Sequence, residues 1–143
     1  MKIDFKRTKS IQPNVTLIGF YPMPESEAEL DRIRYESHYK TLCNAYGLSA
    51  EVIFEPEDIE TALNRPVIAI EEYVEGSDSI ELIDFVHPKN AIYISGCTRY
   101  GHPSEHFPEV THKVHLITRH SQYPLYGDQV LAMAMYDRFN KQA

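Results

Sequence analysis

The sequence predicts an α/β fold: a mostly parallel sheet with helices on both faces, in one domain spanning 1–143. Three observations predict it. Short apolar runs alternate with segments of helical spacing, which is the order of βαβ units. Gly and Pro punctuate these segments, as turns require. The hydrophobic content of 43% suffices for a core in a chain of this length.

The first half of the chain begins with an apolar strand closed by Pro22. The helix after it has acidic residues in its first turn and Gly47 as its C-terminal stop. Two strands separated by a short helix follow. The elements predicted in this half are a strand at 16–21, a helix at about 25–46, a strand at 50–54, a helix at 56–64 and a strand at 67–70.

The second half continues the alternation. Gly76, Ser77 and Asp78 predict the start of another helix, and Pro103 predicts the start of a later one. The elements predicted in this half are a helix to about Phe85, a strand at 91–95, a helix from Pro103, a strand at 113–118 and a helix at 129–142.

The net charge of −7 is distributed unevenly. Residues 51–85 carry eleven acids and one base, which sums to −10 and leaves +3 for the rest. A basic N-terminal arm, residues 1–14, has four cations, and phosphate attraction makes RNA a candidate partner there. A solvated arm is the alternative interpretation. We expect no DNA partner.

Compartment and redox state follow from what the sequence lacks. No apolar run approaches the roughly 20 residues of a membrane helix, and the first residues do not form a signal peptide. We expect a cytoplasmic protein with no membrane partner. Cys43 and Cys97 lack metal or redox spacing, and we expect both to be reduced and structural.

Three segments carry a resemblance to a known family. Residues 95–103, Ser-Gly-Cys-Thr-Arg-Tyr-Gly-His-Pro, keep both glycines of a strand-end motif F-G-P-E-x-x-G. The last motif of the same family is matched in placement by residues 124–130 and the helix that carries Tyr136. Its first motif aligns with residues 35–47. The chain resembles the SPOUT superfamily, in its SpoU/TrmH branch of RNA ribose 2′-O-methyltransferases.

The resemblance implies a C-terminal trefoil knot that holds S-adenosylmethionine mainly through backbone groups. It further implies an RNA substrate, tRNA or rRNA, and a homodimer formed through the first and last helices. The cofactor-binding positions that it implies are Ile70, Gly96, Gly101, Leu116, Thr118, Leu125 and Tyr126.

The polar motif residues of the family are replaced in this chain. The arginine of the first motif falls on Thr41, the glutamate of the second on Thr98 and the asparagine of the third on Tyr126. Cations near these positions offer substitutes, because a ribose hydroxyl needs a base or a stabilising charge. The catalytic candidates are Lys40, Thr41, Arg99 and Tyr126. The alternative is a catalytically silent homologue that binds RNA or protein.

Five histidines lie close together in the C-terminal half: His102, His106, His112, His115 and His120. Two of them, His102 and His106, have the i, i+4 spacing of helical zinc ligands, but Pro103 places His102 before the helix rather than on it. We therefore expect no metal site. His102 or His120 facing the substrate is a hypothesis, and the strand pattern places His115 on a partly exposed face.

Overall fold

The structure is a computed structural model that describes residues 15–20, 29–53, 65–73, 75–96, 102–116 and 125–142. It contains six strands and three α-helices among these residues, and the predicted helix at 56–64 lies outside them. The elements are β1 (Val15–Phe20), α1 (Glu29–Tyr46), β2 (Ser49–Ile53), β3 (Val67–Glu71), β4 (Ile80–Glu81), a 3₁₀ turn (Leu82–Asp84), β5 (Ala91–Ser95), α2 (Pro103–His106), β6 (His112–His115) and α3 (Gly127–Gln142).

The described strands form one sheet in the order β2-β1-β5-β3-β6-β4, with five longer strands and a two-residue edge strand. Every neighbouring pair is parallel. The predicted parallel sheet is therefore confirmed. The predicted knot depends on the path of 97–101 and 117–124, which lie outside the described residues, and it stays a prediction.

The strands alternate their side chains between two apolar layers, as the period of a strand requires. Leu17 and Tyr93 face the layer that contains α1 and α3. Ile18 and Ile94 face the opposite layer, where Phe107 follows α2. Described helices thus lie on both faces of the sheet. None of them is long and apolar enough to cross a membrane.

The predicted helix from Gly76 to Phe85 is wrong. The chain forms β4 and the 3₁₀ turn there instead, because Ile80 and Glu81 pair with the end of β6. Ahead of β4, the Ser77 hydroxyl accepts the Ser79 N–H at 3.2 Å, a local bond that competes with helix formation. Sheet pairing therefore overrides the capping pattern of the sequence.

The C-terminal half of α3 is bound to the segment before β5 by two cations. Arg138 is only 1% exposed, and its guanidinium donates to the carbonyl oxygens of Pro88 and Lys89 at 2.6 and 3.0 Å. Lys141 Nζ donates to the carbonyl oxygens of Leu82 and Phe85, both at 2.8 Å. These charge-assisted bonds give four backbone carbonyl groups outside the strands and α-helices their hydrogen-bond partners.

A chain of hydrogen bonds links the same helix to the centre of the sheet. Arg138 Nη1 donates to Tyr93 Oη at 2.9 Å, and Tyr93 Oη lies 2.6 Å from His87 Nδ1. His87 Nε2 lies 2.7 Å from Asp137 Oδ2. Burial raises the pKa of Tyr93 to about 12, so the phenol keeps its proton and donates it to Nδ1. A neutral His87 that donates from Nε2 to Asp137 satisfies every bond in the chain.

The structure predicts a specific pH dependence of stability for His87. Burial lowers its pKa, the Lys141 and Arg138 cations add to this, and Asp137 opposes it. In the window between this lowered pKa and the unfolded value of about 6.5, only the unfolded chain gains a proton. Acidification through that window therefore lowers the free energy of unfolding, by at most about 1.4 kcal/mol per pH unit.

Urea unfolding of wild type and His87→Gln at pH 7.5, 6.5 and 5.5 measures this effect. The variant should be less stable at pH 7.5, because the imidazole that bridges Tyr93 and Asp137 is lost, and the gap should narrow as the pH falls. His87→Asn, which also lacks a titratable ring, should behave in the same way. A gap that stays constant across the three pH values would contradict a neutral buried His87.

Candidate active site at the carboxyl edge of the sheet

Three neighbouring strands end in polar residues. Glu71 ends β3, Ser95 ends β5 and His115 ends β6. These strands are adjacent and parallel, so their carboxyl ends lie at one edge of the sheet. All three residues are buried in an otherwise apolar interior. Open α/β sheets bind ligands at this edge, which makes it the candidate site.

Glu71 is held by the start of α2. The Ser104 N–H donates to Glu71 Oε2 at 2.7 Å, and the Ser104 hydroxyl donates to Oε1 at 2.9 Å. His102 Nδ1 lies 3.7 Å from the same Oε1. The Glu71 side chain is 4% exposed, whereas that of His102 is 23% exposed. A fixed carboxylate thus lies beside an imidazole that solvent and ligands can reach.

His115 lies on the neighbouring strand, in register with Glu71. Its Nδ1 is 2.7 Å from the Ser79 hydroxyl, and the Tyr73 ring packs against the imidazole at 4.9 Å between centroids. The prediction that His115 is partly exposed is wrong, because Ser79 and Tyr73 cover the ring. Both of these residues lie between β3 and β4 in the chain.

On the other face of the edge, Ser95 bonds to α1. The Tyr39 hydroxyl lies 2.9 Å from Ser95 Oγ, and both side chains are buried. The Tyr39 ring passes directly over Gly19 of β1, where an added Cβ would lie only 2.4 Å from Tyr39 Cζ. Gly19 therefore makes room for the Tyr39 side chain, which reaches the end of β5.

The predicted catalytic residues of α1 lie beside Tyr39 but face away from the sheet. Lys40 and Thr41 are both exposed. The Thr41 hydroxyl donates to the Ser37 carbonyl oxygen at 3.0 Å, within the helix itself. With 3.6 residues per turn, neighbouring positions lie on different faces of the helix, so Lys40 and Thr41, the two residues directly after the buried Tyr39, point outward.

Tyr126 and Leu125 precede α3. The Tyr126 N–H donates to Gln129 Oε1 at 2.8 Å, and its carbonyl oxygen accepts the Val130 N–H at 3.1 Å, so Tyr126 is the N-cap of the helix. Its side chain is 67% exposed, and Leu125 is half-buried. The buried Gly127 begins the helix. The local bonds at Tyr126 thus use backbone groups and leave its ring at the surface.

Leu116, directly after β6, packs against the core and lines an open groove of about 460 Å³. The groove lies between the 3₁₀ turn and the outer face of α3, and it is mainly apolar. Its lining residues are Glu81, Leu82, Ile83, Leu116, Ala132, Met133, Tyr136, Asp137 and Asn140.

The other predicted cofactor residues divide between described and undescribed parts of the chain. Ile70 is buried in the core beneath α1 and α3, one residue before Glu71. Gly96 is half-buried and directly follows Ser95. The described part of the chain therefore brings Gly96 to the candidate site and uses the Ile70 side chain for packing. Arg99, Gly101 and Thr118 lie outside the described residues.

Sequence reasoning missed most of the polar residues at this edge. The sequence patterns assign no functional role to Tyr39, Glu71, Ser95 or Ser104. One signal was available, because a Glu directly after the apolar run 67–70 is unusual for a buried strand end. The bond from Tyr39 to Ser95 spans 56 residues, and no local pattern reveals it.

The residues that the structure describes give no support for a metal site or a reactive thiol. Among the residues that the structure describes, no three His, Cys, Asp or Glu side chains group as metal ligands. Cys43 is buried and free, and burial raises its pKa to about 11. The thiol is therefore protonated at neutral pH. Cys97 lies outside the described residues.

A solved structure of a probable methylase family protein from Haemophilus influenzae Rd KW20 is similar to this chain. The TM-score is 0.53 and the sequence identity is 12%, a likeness that shows a shared fold. The match covers 90% of this chain but only 66% of that one. No protein-family profile matches the sequence, and no curated protein matches it.

The contact between Gly19 and Tyr39 generates a stability prediction. Gly19→Ala would force the Tyr39 ring away from Ser95, and overpacking of this kind costs about 1–3 kcal/mol. Denaturant unfolding should show a loss in that range. In a Tyr39→Ala background the same Gly19 substitution should cost much less, because the ring is gone. Equal costs in the two backgrounds would show that the contact is not responsible.

Proposed function

We propose that this protein is an S-adenosylmethionine-dependent RNA methyltransferase that acts on a ribose 2′-hydroxyl of tRNA or rRNA. The observation that carries the proposal is the fold shared with a probable methylase over 90% of this chain. Two sequence features support it independently: the glycines at 96 and 101, and the terminal helix, whose placement matches the last motif of the family.

The chemistry at the carboxyl edge fits this cofactor. S-adenosylmethionine carries two cationic centres, a sulfonium and an ammonium, together with ribose hydroxyls. A carboxylate offers about four acceptor sites, and Ser104 uses two of those on Glu71. Gly96, with no side chain, permits close backbone approach beside it. When bound, the cofactor supplies an electrophilic methyl group, while Glu71 and the Gly96 backbone would hold it.

The distribution of charge along the chain favours RNA as the substrate. The basic arm 1–14 attracts phosphates, and the described part of α1 adds the exposed cations Arg34 and Lys40. The middle of α1 approaches the carboxyl edge, because Tyr39 reaches Ser95 there. In this proposal Lys40 contacts the RNA backbone rather than the reacting atoms. The acidic segment within 51–85 would repel phosphate and so orient the RNA toward α1.

Two measurements test the proposed function. Wild-type protein incubated with labelled S-adenosylmethionine and bulk RNA should transfer label to ribose 2′-oxygens, identified by nuclease digestion and mass spectrometry. Calorimetry with S-adenosylhomocysteine should show one site per chain. Glu71→Ala should weaken that binding at least about tenfold, as expected when a hydrogen bond to a charged partner is lost.

The second candidate function is a catalytically silent binding module, and it predicts different results. The observation that favours it is a surface of exposed apolar residues, Ile80, Ile83 and Val86, set among the acids of the segment 75–86. Such surfaces mark sites of protein interaction. Binding of S-adenosylhomocysteine without label transfer would favour this module over the enzyme. If S-adenosylhomocysteine does not bind at all, neither candidate function uses this cofactor.

We also propose a homodimer that buries the outer face of α3. Met133 and Tyr136 are 44% and 67% exposed and lie on one stripe of the helix, with Gln129 and Asn140 at its ends. Exposed Met and Tyr are typical of interface cores. These four residues are separated by four, three and four positions, which is the spacing of the residues that two paired helices bring into contact.

The double variant Met133→Glu/Tyr136→Glu tests the dimer, because paired like charges across a two-fold axis repel. Light scattering at micromolar concentration should give the dimer mass for wild type and the monomer mass for the variant. Val86→Glu adds a charge at an exposed apolar residue outside α3 and should remain dimeric. A wild-type protein of monomer mass would contradict the proposed dimer.

A further inference from the structure

We propose that His102 accepts the proton of the substrate hydroxyl and that Glu71 positions the His102 ring. This inference rests on the proposed methyl transfer to RNA. It assigns the base that Thr41, Thr98 and Tyr126 do not provide at the positions where the family resemblance places polar catalytic groups. The proposal is argued from the contacts around Glu71 and from the exposure of the histidines.

The contacts around Glu71 place a fixed carboxylate beside the imidazole of His102. Two hydrogen bonds from Ser104 hold the carboxylate, so its Oε1 is a fixed acceptor. His102 Nδ1 is the ring nitrogen nearest to Oε1, at 3.7 Å. Catalytic hydrogen bonds are often long before the substrate binds and shorten in the reacting complex. The arrangement favours the tautomer with hydrogen on Nδ1, which leaves the lone pair on Nε2 to accept a proton.

The register of β3 with β5 places His102 close to the end of β5. Ile70 pairs with Ser95, so Glu71 and Gly96 are the next residues on these neighbouring strands. His102 lies beside Glu71. His102 therefore lies at the same edge of the sheet as Gly96.

Other described groups at the edge are less suited to accept the proton. The hydroxyls of Tyr39 and Ser95 are buried and bonded to each other. His115 is buried beneath Tyr73, and its Nδ1 is engaged by Ser79. His106 packs against the Phe20 ring at 5.3 Å between centroids. His102 combines partial exposure with a neighbouring carboxylate.

The proton and electrons balance in this step. The ribose oxygen forms a bond to the methyl carbon, the bond from that carbon to sulfur breaks with its electron pair left on sulfur, and the hydroxyl proton moves to His102 Nε2. The imidazolium formed lies beside the Glu71 carboxylate, which stabilises its charge, and it returns the proton to water afterwards. His102 is the catalytic residue here, and Glu71 is a positioning residue.

A His102→Ala variant tests the proposal, with His112→Ala as the matched control. His112 is an imidazole at the opposite, amino-terminal end of β6. His102→Ala should lower kcat for RNA methylation by at least about 100-fold, the scale of a lost general base. Its affinity for S-adenosylhomocysteine should stay within about threefold of wild type, because the ring acts on the hydroxyl. Imidazole added to the buffer should restore part of the lost activity.

A second readout needs no turnover. Diethylpyrocarbonate modifies accessible imidazoles, and mass spectrometry locates each product in the wild-type chain. S-adenosylhomocysteine should slow the modification of His102 severalfold and leave that of His112 unchanged. This measurement places His102 at the cofactor site whether or not the correct RNA has been supplied.

The outcomes separate the two proposals. If wild type methylates RNA and His102→Ala retains its activity, or loses activity without rescue by imidazole, the role of His102 is overturned and the proposed function stands. If S-adenosylhomocysteine does not protect His102, the assignment is also overturned. If wild type binds the cofactor but transfers no methyl group to any RNA, the proposed function fails, and the role of His102 fails with it.

Discussion

The parallel pairing of β3 with β5 on one side and β6 on the other is the constraint on which the candidate site depends. Backbone hydrogen bonds fix the register of Ile70 with Ser95 and of Glu71 with His115. These pairings bring residues from three distant parts of the chain to one edge. A shift of one residue in either register would exchange the faces of the polar residues and place Glu71 against the apolar core. The chemistry of the site is therefore a product of strand register.

The two faces of that edge have different tasks. On the face of α1 and α3, Tyr39 and Ser95 bond to each other in a buried environment and connect α1 to the end of β5. On the opposite face, Ser104 holds Glu71 beside a partly exposed His102. The first arrangement fixes the scaffold, and the second leaves a reactive group accessible. Away from the site, Arg138 and Lys141 bind α3 to the segment before β5, which fixes the helix whose first turn follows Tyr126.

The architecture was predictable from the sequence because apolar runs of strand length mark buried parallel strands. The strands at β1, β3 and β5 were placed within one or two residues for this reason. β4 was not, because its two residues carry no strand pattern and exist through their pairing with β6. The predicted site residues stay predictions, and the polar contacts at this edge carry no local sequence signal. Tyr39 meets Ser95 on one face, and Glu71 meets Ser104 on the other, only through contacts across the fold.

A crystal structure with S-adenosylhomocysteine tests the central claim most directly, because the claim concerns a place. The account predicts the ligand at the carboxyl ends of β3, β5 and β6, in contact with Glu71 and the Gly96 backbone, and with the sulfur directed toward His102. A ligand bound instead in the apolar groove beside Met133 and Tyr136, with Glu71 and His102 untouched, would contradict it.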